Sequence, residues 1–193
     1  RPAEEIALGE RQPRERGRHL HHVLLVEEDT VRFVERLLEP RIGVAHHWRL
    51  FDPAKGEVLL ISKKRVPPEV FRVPLRPADG GVQTAELVAT LSDISQPSQE
   101  ELKKNPVYGR YRSQITGADL SPNGRVLAVL NYHSVHLYVR NPGQDWAQVM
   151  KTMPGQLELP WLPQAEGIAF SPDGRSLLIG SEQRPSPLIM YRA

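Results

Sequence analysis

The sequence predicts an all-β fold of repeated four-stranded units. Three observations carry this. One hairpin phrase is written twice, as ITGADLSPNGRVLAVLNY over residues 115–132 and QAEGIAFSPDGRSLLIGSE over 164–182. A degenerate copy, HHWRLFDPAKGEVLLISKK, occupies 46–64. Gly124 and Gly174, at the same place in the two clear copies, lie 50 residues apart, room for four short strands. The turn chemistry is explicit. Pro172 presets the φ of the first turn position, Asp173 can bond its own backbone, and Gly174 tolerates the positive φ that closes the turn. Four-stranded units at this spacing are blades of a β-propeller.

Residues 1–18 mix both charge signs with two prolines and no apolar period, so they read as a flexible N-terminal segment. Glu4, Glu5, Glu10 and Glu15 offset Arg1, Arg11, Arg14, Arg16 and Arg18, which argues against a basic arm. Residues 19–43 hold a partial unit. HHVLLVE at 21–27 has a strand pattern, while 30–38 fits helical spacing through Val31, Val34, Leu37 and Leu38 and strand spacing through Val31 and Phe33. The first full unit spans 44–91, with strands expected at 45–51, 57–63, 69–75 and 84–91. A polar connection follows over 92–109, where Ser98 and Glu101 have the spacing of a capping box. The second unit spans 110–160, with strands at 114–120, 125–132, 135–140 and 156–160. Asp145 is placed to cap a short helix carrying Trp146, Val149 and Met150. The third unit, 161–193, has strands at 165–170, 176–181 and 187–192, one fewer than the others. Phe71, Tyr138 and Tyr191 coincide when the third strands are overlaid, and an aromatic there would pack between neighbouring sheets.

Composition narrows the function. Charged residues make up 25% and hydrophobic ones 39%, values of a folded globular chain. A net charge of +2 is not the concentrated basic footprint of a nucleic-acid binder, despite a pI near 9.0. With no cysteine, disulfides, thiolate zinc sites and thiol catalysis are excluded. No apolar run reaches the ~18 residues of a membrane-spanning helix, and the chain shows no signal-peptide pattern. G-x-S-x-G, P-loop, G-x-G-x-x-G and H-E-x-x-H motifs are all missing.

The phrases SPNGRVLAVL and SPDGRSLLIG resemble the WD40-like SPDG repeat of TolB-type bacterial propellers. The two longer phrases, in this order, are similar to the last blades of propellers in the phytase-like and esterase-like group, over roughly residues 44–193. That resemblance implies an exported protein, periplasmic or secreted, and more blades than the three found here. Starting at Arg1, the sequence then reads as part of a larger ring, or as one whose copies associate to complete it. The resemblance also implies an alternative function, calcium-dependent hydrolysis of phosphate or other esters. Relatives of this kind tend to carry Asp-Ala-Glu where this chain has Ala45, His46 and His47, which counts against it.

The candidate site follows from the fold. The innermost strands of a propeller line its channel, so their first residues converge at one mouth. His47, Thr116 and Glu166 share that place, and Glu182 ends a neighbouring strand. Glu166 and Asp119 are the candidate calcium ligands, although calcium needs six to eight oxygens. His19, His21, His22, His46 and His47 invite a zinc reading, but adjacent His46 and His47 point to opposite faces of a strand. Arg110, Arg112 and Arg125 are scattered, as solvated arginines usually are. The favoured reading is a non-catalytic binding or scaffolding module, taking a protein or small-molecule ligand at the channel mouth and needing no cofactor.

Overall fold

A computed structural model describes residues 47–192, apart from 64, 66, 77–83, 95, 108 and 161. The expectations for 1–46, including the partial unit at 19–43 and His19, His21, His22 and His46, fall outside the described residues.

Three antiparallel sheets follow one another along the chain. The first contains β1 (His47–Asp52), β2 (Glu57–Ser62), β3 (Glu69–Pro74) and β4 (Glu86–Thr90). The second contains β5 (Ile115–Leu120), β6 (Val126–Asn131), β7 (Ser134–Val139) and β8 (Gly155–Glu158); the third has β9 (Ala165–Phe170), β10 (Ser176–Ser181) and β11 (Leu188–Arg192). In each, the spatial order equals the chain order. β5 lies against β1 on one side and β9 on the other, so the first strands of the three sheets stand side by side. This is an arc of three propeller blades, the last showing three strands among the described residues.

Turn chemistry sets the register. Asp52, Ser121 and Ser171 each open a turn before Pro53, Pro122 and Pro172. The Ser121 and Ser171 hydroxyls accept from the backbone N–H of Val126 and Ser176 at 2.8 and 2.9 Å. Gly124 and Gly174 take positive φ, 66° and 69°, as the turns require. From this anchor, β2, β6 and β10 alternate their side chains between the two faces of a middle strand. Leu59 and Ile61 point to the second sheet; Leu127 and Val129 point back at them. Ala128, Leu130 and Val135 meet Leu177, Ile179 and Ala165 of the third sheet. On the other face of the first sheet, Val58, Leu60 and Val73 form a third apolar cluster.

The anchor corrects one expectation. Tyr138 pairs with Leu127 and Tyr191 with Leu177, equivalent places, but the first unit puts Val73 there, opposite Val58. Phe71 is one rung further along the same face, opposite Leu60. A turn glycine, Gly56, that sits one residue later than Gly124 and Gly174 relative to the turn proline misled the overlay.

The helices form where capping chemistry stands. α1 (Gln99–Lys104) carries the expected box: Ser98 Oγ accepts from Glu101 N at 3.2 Å, and Ser98 N donates to Glu101 Oε2 at 2.8 Å. α2 (Trp146–Val149) is capped by Asp145, whose Oδ1 accepts from Ala147 N at 2.9 Å. It brings Trp146, Val149 and Met150 into the core between the first two sheets.

A buried ionic lock joins those sheets at the turn end. Arg140 Nη2 donates to Asp52 Oδ1 at 2.8 Å, Nη1 lies 2.6 Å from Oδ2, and Nε donates to Gly124 O at 2.7 Å. Trp146 Nε1 donates to Asp52 Oδ2 at 2.9 Å, and its ring lies under the guanidinium at 4.5 Å. Asp52 thus does more than the turn serines at its position: it ties one unit to the next.

Between the same sheets lies His136, opposite Val129 on β6 and buried. Asn131 Oδ1 accepts from the N–H groups of His133 and Ser134, so its amide nitrogen faces His136 Nε2, at 3.3 Å. Nε2 therefore accepts and Nδ1 carries the proton. Burial holds the imidazole below its usual 6.5, with His133 acting the same way and Glu158 and Asp93 the opposite way. As pH falls below 6.5, the unfolded imidazole takes up a proton that the folded one refuses. Stability is therefore expected to fall from there down through the lowered folded value. Phe71 occupies the equivalent place in the first unit, so His136→Phe should flatten this dependence. Thermal melts between about pH 7 and about pH 5 should show wild type losing more than the variant. Parallel curves would remove His136 from the account.

Candidate functional site

The site sits where the inner strands begin. In β5 and β9 a β-bulge interrupts the register: Ile115 pairs with Asn131 and Gly117 with Leu130, leaving Thr116 unmatched. Likewise Ala165 pairs with Ser181 and Gly167 with Gly180, leaving Glu166 unmatched. Thr116 and Glu166 are thus the same bulge residue in two units, and a bulge re-aims its side chain out of the alternation. In β1 the equivalent His47 stays in regular register opposite Ser62. The expected trio shares a position, but its members do not share a geometry.

Beside the bulges the inner strands approach closely. A Cβ on Gly117 would lie 2.8 Å from Ile168 Cγ2 and 3.2 Å from Glu166 O, so only glycine lets β5 and β9 meet here. Trp48 Nε1 donates to Ile115 O at 3.4 Å, joining β1 to β5.

At this end one residue from each unit converges. Tyr132 Oη donates a short hydrogen bond to Glu166 Oε1. Lys63 Nζ lies 3.7 Å from Glu166 Oε2 and 5.8 Å from the centre of the Trp48 ring. Lys63 follows β2, Tyr132 follows β6, and Glu182 follows β10, so these are one position in three units. Burial raises the Tyr132 phenol well above its ordinary value, reinforced by the hydrogen bond to Glu166 and the charges of Glu166 and Glu182. Tyr132 is thereby kept as a neutral donor. Glu182 itself is exposed. Thr116 is buried, and its Oγ1 bonds to no protein group among the described residues. A second polar line runs alongside: Glu101 and His133 Nδ1 both engage Arg112, at 2.8 and 3.0 Å, and His133 Nε2 lies 3.1 Å from Glu158.

Asp119 is elsewhere. Its Oδ2 accepts from Phe170 N at 2.7 Å, at the turn end of β9, whereas Glu166 is at the opposite end. At ~3.3 Å per residue these points are ~13 Å apart, so Asp119 and Glu166 do not face a common ion. Among the described residues no group of three or more His, Asp or Glu side chains is arranged to hold a metal ion. Sequence reasoning named Glu166, Thr116 and Glu182 as candidates and did not name Lys63 or Tyr132, which the structure places against Glu166. Their signal was present, because each occupies in its own unit the place that Glu182 occupies in the third.

No family model matches the sequence, and no curated protein matches it. Among solved structures, the chain is similar to one of a nidogen/laminin complex, at 14% identity and a TM-score of 0.45, over 76% of this chain and 43% of that one. It is also similar to one of a complex of KlAtg21 with the coiled-coil of AgAtg16, at 15% identity and a TM-score of 0.41, over 79% and 44%. The chain spans less than half the length of either. Among the described residues, no helix is long and apolar enough to cross a membrane.

Proposed function

We infer that this protein is a binding module that engages a protein or small polar ligand through the rim formed by Lys63, Tyr132 and Glu166, with Trp48 beneath and Glu182 beside them. One observation carries this reading. Three units each contribute one side chain, of cationic, neutral-donor and anionic character, to a single point at the inner end of the sheets. Such a mixed polar and aromatic cluster offers donors, an acceptor and a ring face in a fixed arrangement, which is what orients a ligand. It supplies no nucleophile–base pair, and the Glu166 carboxylate is already engaged by a phenol and an ammonium.

The alternative, calcium held at Glu166 for ester hydrolysis, requires that carboxylate to exchange both partners for the ion. One pair of measurements separates the two readings. Thermal melts with EDTA and with added calcium should coincide, and the chain should not hydrolyse phosphate or carboxylic monoesters. A calcium-dependent rise in Tm, which at a hundred times Kd corresponds to about 2.7 kcal/mol, would overturn the binding reading, as would hydrolysis lost in Glu166→Gln.

A further inference from the structure

We propose that the rim takes an alkylammonium group, carried by a small amine or by a lysine side chain of a partner, in the place that Lys63 now fills. Lys63 is then a tethered occupant, which the ligand displaces. This rests on the reading of the rim as a binding site and deepens it by naming the ligand's chemistry.

The chain itself seats an ammonium here. Lys63 Nζ lies 3.7 Å from Glu166 Oε2 and 5.8 Å from the centre of the Trp48 ring. A carboxylate attracts an ammonium by charge, and an aromatic face attracts it through the negative side of its quadrupole.

Lys63 fills the place loosely. At 3.7 Å its ammonium is beyond hydrogen-bond reach of Oε2. Tyr132 holds the other oxygen, Oε1, so the carboxylate is fixed while Oε2 accepts no hydrogen bond among the described residues. The Lys63 stem is anchored to the backbone just past the end of β2. An ammonium without that anchor can close to the ~2.8 Å of a charge-assisted hydrogen bond.

Charge decides the sign of the ligand. Among the described residues, the rim sets the carboxylates of Glu166 and Glu182 against the ammonium of Lys63, and both carboxylates act on the Tyr132 phenol. An anion pairing with Lys63 would have Glu166 beside it, a like-charge contact that works against binding. A cation replacing Lys63 meets the carboxylate and the ring, and the Tyr132 hydrogen bond stays in place. The neutral phenol also keeps a lone pair for a further N–H. Side-chain exposures of 23% for Lys63 and 16% for Glu166 leave the pair open to exchange, yet less screened than a surface pair.

The test is a nuclear magnetic resonance titration of the whole 193-residue chain with n-butylammonium near neutral pH, followed at the Trp48 indole N–H. Wild type should show a saturable shift. Lys63→Ala and Lys63→Gln, the second keeping the stem, should bind the probe about tenfold more tightly, because the tethered competitor is gone. Glu166→Gln keeps an oxygen for Tyr132 but loses the charge, and should not bind. Nα-acetyl-lysine methylamide carries the same ammonium on a peptide unit. Tighter binding of this probe than of n-butylammonium assigns the group to a partner's lysine, and weaker binding assigns it to a small amine. Lys63 variants that bind n-butylammonium no more tightly than wild type would overturn the proposal, as would undiminished binding by Glu166→Gln. Butyrate bound by wild type and lost in the Lys63 variants would overturn it too, while leaving the rim a binding site for an anion. No response to any of these probes in any variant would overturn the proposal and the rim reading together.

Discussion

Asp52→Ala should lower the stability of the folded chain by about 3–5 kcal/mol, the range seen when one member of a buried ion pair is removed. Asp52 is fully buried and accepts from Arg140, Trp146 and the Ala54 N–H. Truncating it leaves the buried Arg140 guanidinium facing the Trp146 ring and Gly124 O without the Asp52 carboxylate. A urea titration should show a lower midpoint with an unchanged slope. The double variant Asp52→Ala/Arg140→Met should recover part of the loss, because a buried pair replaced by apolar groups is close to neutral. If the single variant loses less than about 1 kcal/mol, as an exposed pair would, the lock is not holding the sheets together.

Leu59→Ala should cost about 2–5 kcal/mol, the range for truncating a fully buried leucine. Leu59 has no exposed surface and belongs to the cluster that joins β2 to Leu127, Val129, Tyr138 and the α2 residues. The cavity falls between two sheets, so the whole arc should melt earlier in one transition rather than the first sheet melting alone. Two separated transitions by circular dichroism would mean that the units fold independently, and that the shared core is less important than its burial indicates.

Much of the fold was legible because its signals are local. The three turn phrases, the short apolar runs in Val126–Asn131 and Glu57–Ser62, and the Ser98 and Asp145 caps each depend on a few neighbouring residues. The strands stand within one or two residues of where the pattern put them. The overlay failed at Phe71, where a single turn residue shifted the frame, since nothing local says which residue of DPAKG corresponds to the glycine of SPNG. The site was half legible. Thr116, Glu166 and Glu182 follow from position on a strand. Their neighbours Lys63 and Tyr132 required knowing how far a side chain reaches across to another unit, and Asp119 looked adjacent to Glu166 only until the register separated the two ends of β9.

The sequence by itself determined the unit: four short strands, Pro-anchored turns, and two apolar faces on every middle strand. Hydrogen-bonding chemistry and a period of two act within a hairpin and need no partner to be read. The tertiary structure decided which residues meet between units. The Lys63–Glu166–Tyr132 rim and the Asp52–Arg140 lock both join segments far apart in the chain. Their geometry depends on the twist and packing of whole sheets, and no stretch of sequence states that by itself.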